Sequence, residues 1–373
     1  MKILVDVMGG DNAPLELLKG AVMAAEAFDA TITILGDETV IHTVAVENGI
    51  DLTRDNLEVV HTEDVITMED AALSVVREKN RSSMAIGLKM LAEGKGDAFV
   101  SAGNTGALHA GSSLIVRRIR GIQRSAIATV LPMQVPTLLV DSGANIEVDP
   151  SHLCNFALLG SVYMRKIFGI ESPRVGLLNN GAERTKGTKK LQETYEMLEA
   201  DPDINFIGNI EGKDVPFGKC DVLVTDGFTG NILLKSIEGL GSFLMGKLKG
   251  LFLQNVVTKM SALTMKKGIK ALKNEFNASE YGGAPLLGLT KPVIKAHGSS
   301  DARAIYNAIR QAIDFVDTDV IVEIARGLQR RQERAAAEAA EAVSKLSADA
   351  SDAPSGTDAP ARDDNMSEED AHA

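Results

Sequence analysis

The sequence predicts an α/β protein built on a mostly parallel, doubly wound sheet. Three observations carry the prediction. Short β-rich runs alternate with helical stretches along most of the chain, the pattern of repeated βαβ units. Glycine-bearing turns follow five of those runs, where a doubly wound sheet presents its ligand-binding loops. The chain has 373 residues, 45% hydrophobic and 24% charged. That is an ordinary globular composition, long enough to bury a core without staples.

The apolar run 3–7 leads through Gly9, Gly10 and Asp11 into a helical pattern over 14–28. Asp6 interrupts the run and no cleavage-like site follows, so the N-terminus reads as a first strand and not a signal peptide. Further strand-like runs fall at 31–35, 57–60, 98–101, 137–140, 175–178, 205–207 and 222–225. Helical stretches lie between many of them, at 69–77, 105–119, 152–168 and 189–199. From 232 to about 272 the chain reads as helix with no intervening strand. Residues 1–330 are thus expected to form one α/β domain with a helical protrusion over 232–275. The remainder, 331–373, is rich in Ala, Ser, Asp and Glu, and its composition predicts a disordered, solvating tail.

Charge excludes one functional class. Residues 333–373 hold eleven acids and three bases, so this stretch carries −8 of the net −12 and residues 1–332 carry −4. With 4% aromatic residues and no Trp, the body lacks the basic, stacking-rich surface of a nucleic-acid binder. Two cysteines, Cys154 and Cys220, leave no disulfide framework or Cys-rich zinc module and fit a reducing cytoplasm. No segment approaches the ~18 apolar residues that span a bilayer.

The informative residues sit in the glycine turns. The five segments are DVMGGD at 6–11, SAGNTG at 101–106, DSGAN at 141–145, NNG at 179–181 leading to Lys186-Gly187, and DGFTGN at 226–231. Each alone is an ordinary connector. Together, at strand ends, they are expected to converge on one rim and offer backbone N–H groups to an anion. His297-Gly298-Ser299-Ser300, before a helix starting near Asp301, forms either a further anion nest or an N-cap by one of its serines. Lys186 is the one cation placed within a glycine turn on that rim. No dinucleotide G-x-G-x-x-G, P-loop, G-x-S-x-G, H-E-x-x-H or C-x-x-C motif occurs. Cys154 and Cys220 sit among apolar neighbours and read as core residues.

Taken together, these segments resemble the bacterial acyl-carrier-protein:phosphate acyltransferases of phospholipid synthesis. The resemblance runs from Met1 to about Ala325. It is carried by VDVMGGDNAP at 5–14, SAGNTGA at 101–107, DSGAN at 141–145, LLNNGAERTKG at 177–187, DGFTGN at 226–231 and KAHGSSDA at 295–302. It implies a homodimer with a Rossmann-like α/β/α core related to phosphotransacetylases. It also implies transfer of a fatty acyl group from acyl-carrier-protein thioester to inorganic phosphate, with no metal or cofactor. Position by position it points to Lys186 and Asn231 as catalytic. Gly103, Asn104, Thr105, Gly106, Asp226, His297, Ser299 and Ser300 follow as substrate contacts. Phosphate is already an anionic nucleophile, so the site needs only to hold it against the thioester and stabilise the oxyanion.

Between Glu238 and Glu275 there are seven lysines and no acid, interleaved with bulky apolar residues. Such a segment is either a helical hairpin packed on the core or a dimer seam, or a surface for anionic lipid. The family resemblance favours lipid, with Leu248, Leu251, Phe252 and Leu253 as the contact and a cytoplasmic, peripherally membrane-associated enzyme. The other readings are an enzyme using a coenzyme A thioester, a dehydrogenase with an atypical dinucleotide site, and a lipid-surface binding protein without turnover.

Overall fold

A computed structural model describes residues 1–254, 258, 260, 264–265, 267–268 and 282–351, the last ten of these by backbone alone. The chain divides into two compact units, Met1–Gly327 and a second beginning at Leu328.

The first unit holds an 11-stranded sheet. Its strands are β1 (Lys2–Asp6), β2 (Thr31–Gly36), β3 (Leu57–His61), β4 (Ala98–Ser101), β5 (Ala126–Leu131), β6 (Thr137–Val140), β7 (Arg174–Asn179), β8 (Asn205–Glu211), β9 (Val222–Val224), β10 (Ala284–Leu287) and β11 (Val293–Lys295). They lie in the order β3-β2-β1-β4-β11-β10-β5-β6-β9-β7-β8. The described helices are α1 (Leu15–Ala27), α2 (Glu38–Asn48), α3 (Ser83–Ala92), α4 (Thr105–Gly111), α5 (Pro150–Phe168), α6 (Lys189–Ala200), α7 (Gly227–Phe252), α8 (Ala302–Asp317) and α9 (Val320–Ser351).

The mostly parallel sheet is as the alternating pattern predicts, with one topological exception that makes the site. β3, β2, β1, β4 and β11 run one way, and β6, β9, β7 and β8 run parallel to one another. Between these halves the pairings β11–β10, β10–β5 and β5–β6 are all antiparallel. Three reversals leave the two halves pointing at each other. Ser101, closing β4, faces Lys295, which faces Ala284. Two residues along, Leu286 faces Ile127, and the next residue back on the sheet, Ala128, faces Val140, which closes β6. The carboxyl ends of both halves therefore stop within about one residue, ~3 Å, of the same level. The glycine turns converge across a central cleft, not along the single rim expected from a uniformly parallel sheet.

Local chemistry sets the element ends. Asp37 caps α2 by accepting from the Thr39 and Val40 N–H groups, and Gly49 ends it at φ 64°. α5 opens with Pro150 behind a reciprocal Asp149–His152 capping box and ends at Gly169, φ 69°. The fully buried Tyr163 of α5 accepts from Gln311 of α8 at 2.9 Å. Gln311 in turn accepts from the Gly283 N–H at 2.8 Å, pinning the entry to β10.

Three expectations are corrected. The stretch 69–77 yields only a 3₁₀ turn, Ala72–Val76. The helix expected over 105–119 is α4 followed by a π turn, Ser112–Val116, which stops at Arg117 with φ 73°, a conformation no helix continues through. The tail expected to be disordered from 331 is helical as far as Ser351. Its Ala, Glu and Arg are strong helix formers, and that propensity outweighs its polar composition. Residues 352–373 lie outside the described residues. So does most of the second half of the expected protrusion; its first half is α7. No helix among the described residues is long and apolar enough to cross a membrane.

Candidate active site

The glycine segments do two jobs: some line the cleft and others hold the lining in place. Asp6, buried at the end of β1, accepts from the Ser101 hydroxyl at 2.7 Å and from the Met8 N–H at 3.1 Å. The Ser101 oxygen accepts from the Gly103 N–H at 3.1 Å. A Cβ on Gly9 would stand 2.7 Å from the Gly103 Cα, so only glycine lets the first loop lie under the second. The Asp11 N–H then donates to the Gly298 carbonyl at 2.8 Å, and the Asn12 amide to the carbonyls of Ser299 and Ser300. The 6–12 segment is thus a brace beneath both neighbouring loops.

On the opposing half, Asp141 organises the turn after β6. Fully buried, it accepts from the N–H groups of Ile127 (3.1 Å), Gly143 (3.0 Å), Ala144 (3.0 Å) and Asn145 (2.7 Å) and from the Asn145 amide (2.8 Å). Orphaning such donors costs about 1–3 kcal/mol each. Asp141→Ala is therefore expected to lose at least about 3 kcal/mol of stability, read as a fall in the urea midpoint. The start of α7 docks on this turn. Its Gly227 N–H donates to the Asn145 carbonyl at 2.7 Å, and a Cβ on Gly230 would lie 1.9 Å from the Asp141 carbonyl oxygen. That contact fixes Asn231 beside Gly143, where a Cβ would be 3.7 Å from the Asn231 side chain.

A cavity of about 970 Å³ occupies the cleft. Its polar lining includes Thr105, Ser142, Asn231, Lys295, His297 and Ser299. Its apolar lining includes Val130 and Leu131 of β5 and Leu234, Ile237 and Met245 of α7. His297 Nδ1 accepts from the Ser299 N–H at 3.2 Å and lies 2.9 Å from the Ser299 hydroxyl. Burial lowers the His297 pKa, aided by the nearby Lys235. Lys235 lines the same cavity and pairs with Glu238 at 2.7 Å.

The structure sorts the sequence candidates. Asn231, Thr105, His297, Ser299 and Ser300 all line the cavity. The N-cap of α8 is Asp301, which accepts from the Ala304 N–H at 2.9 Å, so neither serine is used as the cap. Asn104 is committed elsewhere: it caps α4 through the Ala107 N–H and donates to the carbonyls of Thr67, Met68 and Asp70. Asp226 caps α7 through the Thr229 N–H at 2.7 Å. Gly103 is buried and Gly106 exposed, and neither is among the lining residues. Lys186 is exposed on the turn after β7, its carbonyl held by Asn179, and it too is outside the lining. Both cysteines are buried, and burial pushes the Cys220 thiol up to about 12, as expected of core residues. No group of residues suited to a metal ion occurs among the described ones.

Lys295 was missed from sequence. It ends a three-residue strand, VIK; the signals available were a cation closing an apolar run and its place at the head of KAHGSSDA.

The fold of the first unit is that of the phosphotransacetylases. A phosphotransacetylase from Streptococcus pyogenes superposes with a TM-score of 0.61 at 18% identity, covering 85% of this chain and 94% of that one. A branched-chain phosphotransacylase from Enterococcus faecalis gives 0.52 at 16% identity, covering 85% and 100%. A family model described as "Fatty acid synthesis protein" matches residues 1–323. The phosphate acyltransferase of Thermoanaerobacter pseudethanolicus is 46% identical over 326 residues, 87% of this chain and 96% of that protein. That of Thermoanaerobacterium thermosaccharolyticum is 45% identical over 330 residues, 88% and 97%. The chain belongs to the phosphate acyltransferase family of enzymes, in fatty acid and phospholipid synthesis.

Proposed function

We propose that this protein transfers a fatty acyl group from an acyl-carrier-protein thioester to inorganic phosphate. A phosphate oxygen forms the new bond to the thioester carbon, the C–S bond breaks, and the carrier leaves as a thiolate that takes up a proton. The observation that carries this reading is the cavity itself: its lining combines polar groups suited to an anion with apolar side chains suited to an acyl chain. Asn231 donates to the phosphate or the developing oxyanion. Lys186 serves as a mobile cation from the neighbouring turn; β7, which carries its loop, pairs with β9, which leads into α7. Neither role needs an activated side-chain nucleophile or a metal.

Mixing the protein with acyl-carrier-protein thioester and phosphate, then trapping with hydroxylamine, tests the reaction. A phosphate-dependent acyl hydroxamate supports it. Turnover with coenzyme A thioesters alone assigns the donor to coenzyme A, and no turnover with either leaves a binding protein.

The apolar lining makes a prediction about chain length. Gly241 lines the cavity, and a Cβ there would meet nothing within 4 Å. Gly241→Phe is expected to lower kcat/KM for long-chain thioesters at least about tenfold relative to short-chain ones. An unchanged ratio would move the acyl path away from α7.

The same reading places the protein in the cytoplasm at the membrane surface as a homodimer. Along the outside of α7, Leu240, Phe243, Leu244, Leu251 and Leu253 are exposed, with Leu248 and Phe252 half-buried. Lys247 and Lys249 are interleaved with them, the composition of an anionic-lipid contact. Two copies would present two such segments and gain avidity. Sedimentation with anionic vesicles is expected to weaken when Leu251 and Phe252 are both replaced by Glu. Equal sedimentation would remove this segment as the contact.

A further inference from the structure

Lys295 closes β11 with 9% of its surface exposed and lines the cavity. Its Nζ donates to the carbonyl of Ala102 at 2.9 Å and to that of Ala296. Those two carbonyls belong to the loops that carry Thr105 and His297–Ser300 into the cavity. An ammonium has three N–H donors, so the two backbone bonds leave one to face the space that Lys295 borders. The remaining charged groups around it come from three directions. Asp6 of β1 and Asp11 of the following loop favour its charge, while Lys235 of α7 opposes it. His297, one turn further along the loop, feels the same field. Burial is the largest influence and brings the Lys295 pKa down to about 8.

Asp6 and Asp11 favour the Lys295 charge, but its hydrogen bonds go to neutral carbonyls, and an anion that takes the third N–H would offset more of the cost of burying the charge. We propose that Lys295 holds the inorganic phosphate substrate: two N–H groups lock the 101–106 and 296–300 loops together, and the third donates to a phosphate oxygen. This rests on the acyl transfer reading above and adds to it a fixed cation at the floor, distinct from Lys186 on the outer turn. With the ammonium charged, the site attracts phosphate; as pH rises through about 8 the charge is lost and phosphate binding falls.

The test measures orthophosphate binding by titration calorimetry alongside steady-state kinetics, for the wild type, Lys295→Gln and Lys295→Arg. Lys295→Gln is expected to raise the phosphate Kd and KM at least about tenfold while the KM for acyl thioester stays within twofold. Wild-type phosphate affinity is expected to drop steadily above pH 8, and Lys295→Arg, charged throughout, to lack that drop. An unchanged phosphate KM in Lys295→Gln, or an equal rise for both substrates, would overturn the proposal. Should Lys295→Gln not fold, a wild-type phosphate affinity that is flat from pH 7 to 9.5 would overturn it equally. Because binding is read apart from turnover, a protein that binds phosphate through Lys295 but makes no hydroxamate would sink the acyl transfer reading and leave this one standing.

Discussion

Asn231→Ala is expected to slow acyl phosphate formation about 10²–10³-fold, with the circular dichroism spectrum and melting temperature unchanged. The exposed Asn231 lines the cavity from near the start of α7, and the hydrogen bonds that Asp141 and Asp226 accept do not involve its side chain. A loss of rate without loss of stability would therefore mark a donor used in the transition state. Less than a tenfold change in kcat would remove Asn231 from the mechanism. Lys186→Met is expected to slow the reaction too, since Lys186 serves as the mobile cation. Lys186 is exposed and outside the cavity lining, so a full rate in that variant would remove that role and leave Lys295 as the cation at the phosphate.

Gly230→Ala is expected to damage both fold and rate. The added carbon would need to sit 1.9 Å from the Asp141 carbonyl oxygen, a distance no neighbour can absorb by a rotamer change, since the obstacle is backbone. α7 must then lift off the turn. Overpacking of this kind costs about 1–3 kcal/mol or more, and a 1 Å misplacement of a catalytic group about 10² in rate. Both should appear together, in urea midpoint and kcat. Gly239→Ala on the same helix is the control: a Cβ there meets nothing within 4 Å, and it should gain up to about 1 kcal/mol from helix propensity. If Gly230→Ala behaves like Gly239→Ala, the docking of α7 does not position Asn231.

Much of this was legible in the sequence because β-branched runs and helical periods are local properties. β1, β2, β4, β6 and β9 fall on apolar runs bounded by glycine turns, and the turns themselves mark the loops at the cleft. What escaped was set by distant partners. β10 and β11 have four and three residues, too short to show a period, yet they supply two of the three reversals that turn a rim into a cleft. Lys295 looked like any surface lysine because the carbonyl that engages it, Ala102, lies 193 residues away. The capping by Asn104 and Asp226 was not legible for a related reason. Asn and Asp beside glycine at a strand end suit an anion loop and a helix cap equally, and for Asn104 the further bonds are to the distant carbonyls of Thr67, Met68 and Asp70.

The tight seat of Gly230 also governs how the far end of the same helix can behave. Asn231 and Leu251 stand at opposite ends of one continuous rod, about 30 Å apart at 1.5 Å per residue. The pivot of that rod is the contact one residue from the carboxamide. A tilt of about 10° about the seat would sweep the distal tip through roughly 5 Å, while the carboxamide, ~4 Å from the pivot, would shift by about 0.7 Å. The outer end can thus travel several times further than the inner one, as the rim of a gimbal swings about a compass.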